Sequence, residues 1–371
     1  MSELRVLIDG YWWTGGPPSG RNVLISLVHA WAAAFPEDRI VLARPDPGEA
    51  SADRLAPPAA VTEVRLRTPQ HAAAVMLELD ARGRGADLVL SQNFTPLLSR
   101  ALRAVYVHDV MFQEHPEWFS ARERAYLSLI PRGAARADVI ATSSQTERRR
   151  IEARNPRLAG RTIATGLAVS EGFRSARSSP PALPGLSGGF LLAVGRINVR
   201  KNLERLVRAL GDAGVITARF PLVVVGVPDG LAGASAVFDD AVAAGSVIRA
   251  GFLPDSELKW LYENCAAFVF PSLDEGFGLP VLEAASSGAR IALSAIPAFE
   301  EFGPVGDFFD PQDDASMVRA VRAAMARATP VDGRWAAAYR WDRAVAAIRG
   351  AAVEAGRMRR GGDRRAATAG R

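Results

Sequence analysis

The chain has 371 residues, 49% hydrophobic and 23% charged, the make-up of an ordinary globular protein long enough for two domains with separate cores. A single cysteine, Cys265, excludes an intramolecular disulfide and a cysteine-built zinc site and makes a reducing cytosol the natural compartment. The net charge of +5 equals that of residues 357–371 alone, where six arginines face one acid, Asp363; the body is therefore neutral and gives no sign of a nucleic-acid partner.

The N-terminus, Met1-Ser2-Glu3-Leu4-Arg5, leads straight into a strand and carries no signal-peptide pattern. No apolar run approaches the ~18 residues that span a bilayer, so a cytoplasmic protein is expected. Leu4–Asp9 reads as a buried strand. A loop rich in glycine, proline and aromatics follows, from Gly10 to Gly20, and then an apolar helix over about 21–35 with Ser19 as its expected N-cap. Strand, glycine loop and helix make an anion-accepting N-terminus at Gly20, although the loop lacks the Gly-x-Gly-x-x-Gly dinucleotide fingerprint.

Strand-like runs recur at 39–43, 61–66, 87–91, 104–107 and 138–142, with helical stretches at 72–84, 121–135 and 145–153 between them. Such alternation predicts a parallel sheet covered on both faces, with ligands at the carboxyl ends of its strands. One of those ends is polar: Val105-Tyr106-Val107-His108-Asp109. His108 there is either a hydrogen-bonded strand-end histidine or a group facing a ligand. Of the other histidines, His29 lies in the first helix, and His71 and His115 have no partner evident in the sequence. Neither a His/Cys cluster nor a Gly-x-Ser-x-Gly elbow occurs, which argues against a metal site and against serine hydrolysis.

Residues 174–189 hold too many prolines, glycines and serines for a regular element and read as the linker. A second strand series begins at Phe190–Gly195 and continues at 221–226, 246–251, 266–270 and 289–294. After its first strand comes Gly195-Arg196-Ile197-Asn198-Val199-Arg200-Lys201-Asn202. A helix expected from about Lys201 carries apolar residues at 203, 206, 207 and 210 on one face. Only two lysines occur, Lys201 and Lys259, so a lysine at a turn beside Arg196 is notable. A guanidinium fork and an ammonium suit a diphosphate without a metal.

The most specific stretch is Pro271-Ser272-Leu273-Asp274-Glu275-Gly276-Phe277-Gly278-Leu279-Pro280-Val281-Leu282-Glu283, behind the apolar strand 266–270. Two glycines bracket Phe277, and Pro280 has the fixed φ that suits a first helical turn. The turn Gly276–Leu279 is a second phosphate seat. Glu275 sits in the turn, and Glu283 lies in the helix, where an acid can accept hydrogen bonds from a ribose diol.

This Glu–seven residues–Glu spacing, with Gly195-Arg196 at one strand end, Lys201-Asn202 at the next helix, His108-Asp109 in the first half, Gly251-Phe252-Leu253-Pro254 and Phe308-Phe309-Asp310-Pro311, resembles the retaining family 4 glycosyltransferases (glycosyl transferases group 1), and in particular bacterial mannosyltransferases of surface polysaccharide synthesis. The resemblance is dense from about 190 to 312 and thinner over 1–170. It implies an α/β protein of the GT-B type, two Rossmann-like parallel-sheet domains facing a central cleft: an acceptor-side domain over 1–173, the linker, a nucleotide-sugar-binding domain over 190–334, a helix over 335–356 crossing back to the first domain, and a disordered basic tail over 357–371.

The resemblance further implies transfer of a hexose from a nucleoside diphosphate sugar, with a lean to GDP-mannose, to a hydroxyl of a glycan or lipid-linked acceptor, with no metal or other cofactor. Glu275, His108, Arg196 and Lys201 are the expected catalytic set. Gly20, Gly276, Phe277, Gly278 and Leu279 would line the diphosphate, Glu283 the ribose, and Phe252 and Leu253 the nucleobase. The basic tail would suit a peripheral contact with the cytoplasmic membrane face. Two departures stand out: Ala284-Ala285-Ser286-Ser287-Gly288-Ala289-Arg290, where relatives often have Gly-x-Pro, and a first loop unusually aromatic at Tyr11, Trp12 and Trp13. A nucleotide-sugar 2-epimerase of the same architecture and a non-catalytic nucleotide-sugar-binding partner subunit remain the alternatives.

Overall fold

The computed structural model describes residues 3–46, 56–79, 85–228, 236–330 and 332–369. The expected helix over 72–84 therefore falls partly outside the described residues. The chain divides into two compact units.

The first unit comprises Met1–Glu114, Ala121–Leu167 and Arg340–Arg371. Its seven strands are β1 (Arg5–Asp9), β2 (Arg39–Pro45), β3 (Thr62–Leu66), β4 (Leu88–Gln92), β5 (Leu102–Tyr106), β6 (Val139–Thr142) and β7 (Thr162–Ala164). They pair in the order β3-β2-β1-β4-β5-β6-β7, every pair parallel. β7 is absent from the sequence reading because three residues, TIA, offer too short a run to show a period. Order reverses between β1 and β4, so the crevice of this sheet lies at the carboxyl ends of those strands, beyond Asp9 and Gln92.

Helix α1 (Pro18–Ala34) starts one residue before the expected cap: Pro17 is extended at the N-cap, Pro18 supplies the preset φ, and Ser19 lies inside the first turn. Its face buries Val23, Leu24, Leu27, Val28 and Trp31. The final helix, Trp341–Ala369, packs on α1 within this unit. A buried ion pair fixes that contact: Arg349 donates to both Asp38 oxygens at 2.7 and 2.8 Å, and the Trp31 indole N–H donates to Asp38 at 3.0 Å. The helix also corrects one expectation, because the backbone remains helical through Ala369 where the sequence suggests a disordered tail from 357. Alanine and arginine are strong helix formers, and extending an existing helix avoids the cost of nucleation.

The second unit comprises His115–Ser120 and Ala168–Tyr339. Its strands are β8 (Leu191–Val194), β9 (Leu222–Val225), β10 (Val247–Gly251), β11 (Ala267–Phe270), β12 (Ile291–Ser294) and β13 (Asp307–Phe309), in the parallel order β10-β9-β8-β11-β12-β13. The reversal falls between β8 and β11. Residues 174–189 are largely irregular, as expected, and are docked on this unit: Lys259 donates to the carbonyls of Arg174 and Ala176 at 3.1 and 3.0 Å. Helix α2 (Leu203–Asp212) buries Leu203, Leu206, Val207 and Leu210, the face read from the sequence. It begins after Lys201, which ends a 3₁₀ turn, because Asn202 adopts a left-handed conformation (φ +54°) and holds it by donating to the Pro311 carbonyl at 2.9 Å. Among the described residues no helix is long and apolar enough to cross a membrane.

Candidate active site

The ends of β8 and β11 converge on one ionic cluster. Gly195 leaves β8 with φ +144°, and a Cβ there would lie 2.9 Å from the Lys201 side chain. Gly226, leaving β9, is tighter still: its Cβ would lie 1.9 Å from the Gly195 carbonyl oxygen. Glycine at these two strand ends is thus a steric requirement that lets the two loops touch. Asn198 caps the 3₁₀ turn, its side chain accepting from the Lys201 N–H at 3.2 Å. That turn delivers Lys201 into the sheet crevice, where its ammonium lies 4.3 Å from the centre of the Phe270 ring.

Glu275 receives it. Lys201 Nζ donates to Oε1 and Arg200 Nη1 donates to Oε2, each at 2.5 Å, while Ser272 Oγ donates to Oε1 at 2.8 Å. Arg200 also donates to the Asp274 carbonyl, and the Leu273 N–H to the Arg200 carbonyl, so the two loops are stitched together. Lys201 and Glu275 are both buried. Burial alone would raise the Glu275 pKa; the charges of Arg200 and then Lys201, with their hydrogen bonds and that of Ser272, outweigh it and hold the carboxyl well below its ordinary range. Burial pushes the Lys201 ammonium down; Glu275 opposes that, while Arg200 and Arg196 add to it. The Arg196 charge therefore reaches Lys201. The cluster carries more positive than negative charge before any ligand is present, which suits a polyanion.

Downstream, Gly278 has φ +106°, and a Cβ there would meet the Phe299 ring at 2.6 Å. Helix α3 (Leu279–Ser286) starts at this glycine with Pro280 in its first turn. Phe277 turns away from the helix N-terminus into an aromatic cluster with Phe302 and Tyr339, so only its backbone is available to an anion. Glu283, in the second turn, is half-buried and accepts from the Tyr262 hydroxyl at 3.1 Å. Burial raises its pKa to about 7, Tyr262 opposes the rise, and Asp255 adds to it. Phe252 is exposed and Leu253 half-buried.

Two partners here were not evident in the sequence. Arg200 has no motif position of its own, and only the fold turns it onto Glu275. His115 comes from the 115–120 excursion; it stacks on Trp118 at 3.9 Å, and its Nε2 lies 3.4 Å from the buried Asp274 carboxylate.

The first unit builds a different cluster at the ends of β1, β4 and β5. His108 Nε2 lies 2.7 Å from Gln92 Oε1, and the His108 N–H donates to Asn93. Asp9 is fully buried; it accepts from the Tyr11 and Gln92 N–H groups, and His71 Nε2 lies 2.8 Å from its Oδ2. His71 thus has a partner that sequence reading missed, because 62 residues separate the pair. Trp12 lies between the histidines, its ring 4.7 Å from His71 and 5.3 Å from His108. It also lies against Gly20, the expected anion seat: a Cβ on Gly20 would lie 2.6 Å from the indole. Trp13 is fully buried and does not join the group. Two polar atoms of this cluster, His71 Nδ1 and Gln92 Nε2, are buried without a hydrogen-bond partner from the protein. Among the described residues no group of three or more His, Cys, Asp or Glu side chains is arranged to hold a metal ion.

Two parallel-sheet α/β units of seven and six strands define the GT-B class of fold. The fold is similar to sucrose-phosphate synthase from Thermosynechococcus elongatus (TM-score 0.64, 18% identity, 96% of this chain and 98% of that one) and to WaaG, a glycosyltransferase involved in lipopolysaccharide biosynthesis (TM-score 0.63, 16% identity, 94% and 98%). Residues 185–337, the stretch that holds Arg196, Lys201, Glu275 and Glu283, match the family model for glycosyl transferases group 1. Among curated proteins it is 30% identical over 223 residues to the O-antigen chain mannosyltransferase B of Escherichia coli, a match covering 56% of each chain. The chain thus spans about half the length of that relative.

Proposed function

We propose that this protein is a retaining, metal-independent glycosyltransferase that moves a hexose from a nucleoside diphosphate sugar to a hydroxyl of a glycan or lipid-linked acceptor. The single observation that carries the reading is the Lys201–Glu275–Arg200 cluster beside the N-terminus of α3, at the point where the second sheet reverses strand order. The donor diphosphate sits on the Gly276–Leu279 backbone. Arg196 and Lys201 offset the charge that grows on it as the glycosidic bond breaks, so the leaving group is stabilised without a metal. Glu275 holds Lys201 and Arg200 in place and meets the donor sugar. Glu283 accepts from the ribose hydroxyls, with Phe252 and Leu253 beside the base. His108 is the sugar-facing group of the first unit. GDP-mannose is the favoured donor, in keeping with the mannosyltransferase name of the Escherichia coli relative. Polysaccharide assembly at the cytoplasmic membrane face fits both that name and the arginine-rich C-terminal segment.

A thermal-shift panel of GDP, UDP, TDP, ADP and CMP, without metal, on the wild type and Glu283→Ala tests the donor site, because a ligand that binds only the folded chain raises its stability by mass action. One nucleotide should stabilise the wild type and leave the variant unmoved; no shift in either sinks the donor-site reading. Arg196→Ala should lower turnover by about 10²–10³ with little change in nucleotide affinity, the scale of losing one charge-stabilising donor. Product analysis then separates a glycoside from an epimer, or from no product.

A further inference from the structure

Residues 115–120 belong to the second unit, although the chain on both sides of them, through Glu114 and from Ala121, belongs to the first. The sequence of this excursion explains its shape. Pro116 supplies the preset φ of a first turn position, and Pro116–Trp118 forms a 3₁₀ turn with His115 at its N-cap. In a 3₁₀ turn the side chains at i and i+3 eclipse, so Trp118 folds back over His115. The two rings stack at 3.9 Å with 14° between their planes, and the Trp118 N–H donates to the His115 carbonyl at 3.1 Å. The imidazole is thereby held in one orientation, with a carboxylate at each nitrogen. Glu117 Oε1 lies 3.2 Å from Nδ1, and Asp274 Oδ2 lies 3.4 Å from Nε2. An imidazolium, with a proton on both nitrogens, donates to both at once.

Asp274 passes the contact on. It is 6% exposed, and a carboxylate so deeply buried persists as an anion only where donors meet its oxygens. Its other oxygen, Oδ1, accepts from the Glu275 N–H at 2.7 Å, and its carbonyl accepts from Arg200 at 3.1 Å. From this we infer that His115 is a positioning residue for Glu275: through Asp274 it fixes the peptide from which the Glu275 side chain departs. The inference deepens the reading above and rests on it only in naming Glu275 as the group that meets the donor sugar. Lys201, Arg200 and Ser272 hold Glu275 at its tip, whereas Asp274 holds it at its root. When a sugar hydroxyl takes a place on the carboxylate, the contacts at the tip rearrange. The root then keeps the group within the ~0.5 Å that an oriented site requires.

Two measurements on the full chain test this role. The first is hydrogen exchange without ligand, read at the Glu275 amide by mass spectrometry with electron-transfer fragmentation. His115→Phe keeps the ring on Trp118 and removes both nitrogens; it should speed exchange at Glu275 about tenfold and leave the amides of Val223–Val225 in β9 unmoved. His115→Gln, which restores a nitrogen donor, should return the rate to within about threefold of the wild type. Trp118→Leu removes the support of the ring and should act in the same direction as His115→Phe, so it decides the matter if that variant does not fold. The second measurement is calorimetric titration with GDP-mannose and with GDP. His115→Phe should weaken GDP-mannose about fivefold, keep GDP within about twofold, and be rescued by glutamine, because only the sugar meets Glu275. Unchanged exchange at Glu275 in the folded variants, equal exchange in His115→Phe and His115→Gln, or equal weakening of GDP and GDP-mannose overturns the proposal. If the wild type binds neither compound while exchange at Glu275 responds as expected, the donor reading falls and the positioning of Glu275 by His115 stands.

Discussion

The two strand-end clusters occupy corresponding places in their sheets and treat polarity in opposite ways. In the second unit both carboxylate oxygens of Glu275 are engaged: three donors meet two oxygens, and buried charge is matched by buried charge. In the first unit Asp9 is satisfied, but the histidine and glutamine around it each keep one atom unpaired. The second site is therefore balanced internally and biased by surplus positive charge, whereas the first is neutral in its free atoms and incomplete in its hydrogen bonds.

The largest expected effect tests the balance. Glu275→Ala leaves a buried ammonium beside a guanidinium and should cost about 3–5 kcal/mol of stability, read by guanidinium unfolding. Lys201→Ala combined with Glu275→Ala should cost less than Glu275→Ala alone, because the uncompensated charge goes with it. A double variant as damaged as the sum of the singles would show that the pair acts through packing and not charge. Asp9→Ala in the first unit should cost about 2–4 kcal/mol, since His71 and two backbone N–H groups lose their acceptor together. If it costs nothing, the first cluster is not organised around that carboxylate.

A pH dependence separates the sites further. Glu283 has a folded pKa of about 7, raised from its ordinary 4.5 by burial. An acid raised in the folded state binds more protons there than in the unfolded chain, so its contribution to stability is fullest below about 4.5 and is lost as pH rises through about 7. On the proposed role of Glu283 as acceptor for a ribose diol, the ionised form binds, so nucleotide affinity should rise about tenfold from pH 6 to pH 8, and Glu283→Gln should flatten that rise. A wild-type profile matching that of Glu283→Gln would remove Glu283 from nucleotide binding. The smallest effect belongs to Tyr262→Phe. Losing one hydrogen bond to a carboxylate should cost about 1 kcal/mol and move the Glu283 midpoint upward, because the hydroxyl holds that pKa down.

The second unit was more legible in sequence than the first for a physical reason. Its site is written in local spacing: Gly195 to Lys201 and Glu275 to Glu283 each lie on one strand–turn–helix connection, where residue type and register fix geometry. Even there, the second cation on Glu275 was hidden, because Arg200 points at Glu275 only once β8 and β11 lie side by side. In the first unit, Asp9, His71, Gln92 and His108 come from four separate segments, brought together by sheet pairing and by the helical turn that begins at His71. The 10–20 loop reads as an anion seat from its order of strand, glycine loop and helix; what that order does not show is that Gly16 and Gly20 both lie against the Trp12 indole. The helix through the arginine-rich end was hidden by composition, since the same residues suit a solvated coil.

The contact between Arg349 and Asp38 also orders events in time. Residues 341–369 complete the first unit, yet they are synthesised after the whole of the second. At about 5–20 residues per second, the ribosome takes roughly 9–35 s to travel from the end of the 121–167 segment to Arg340. Throughout that interval Asp38 and the Trp31 indole lack their guanidinium partner and its covering helix. The first sheet emerges first but is sealed last, so a nascent chain stalled before residue 341 should be more open to protease in its N-terminal unit than in its C-terminal one.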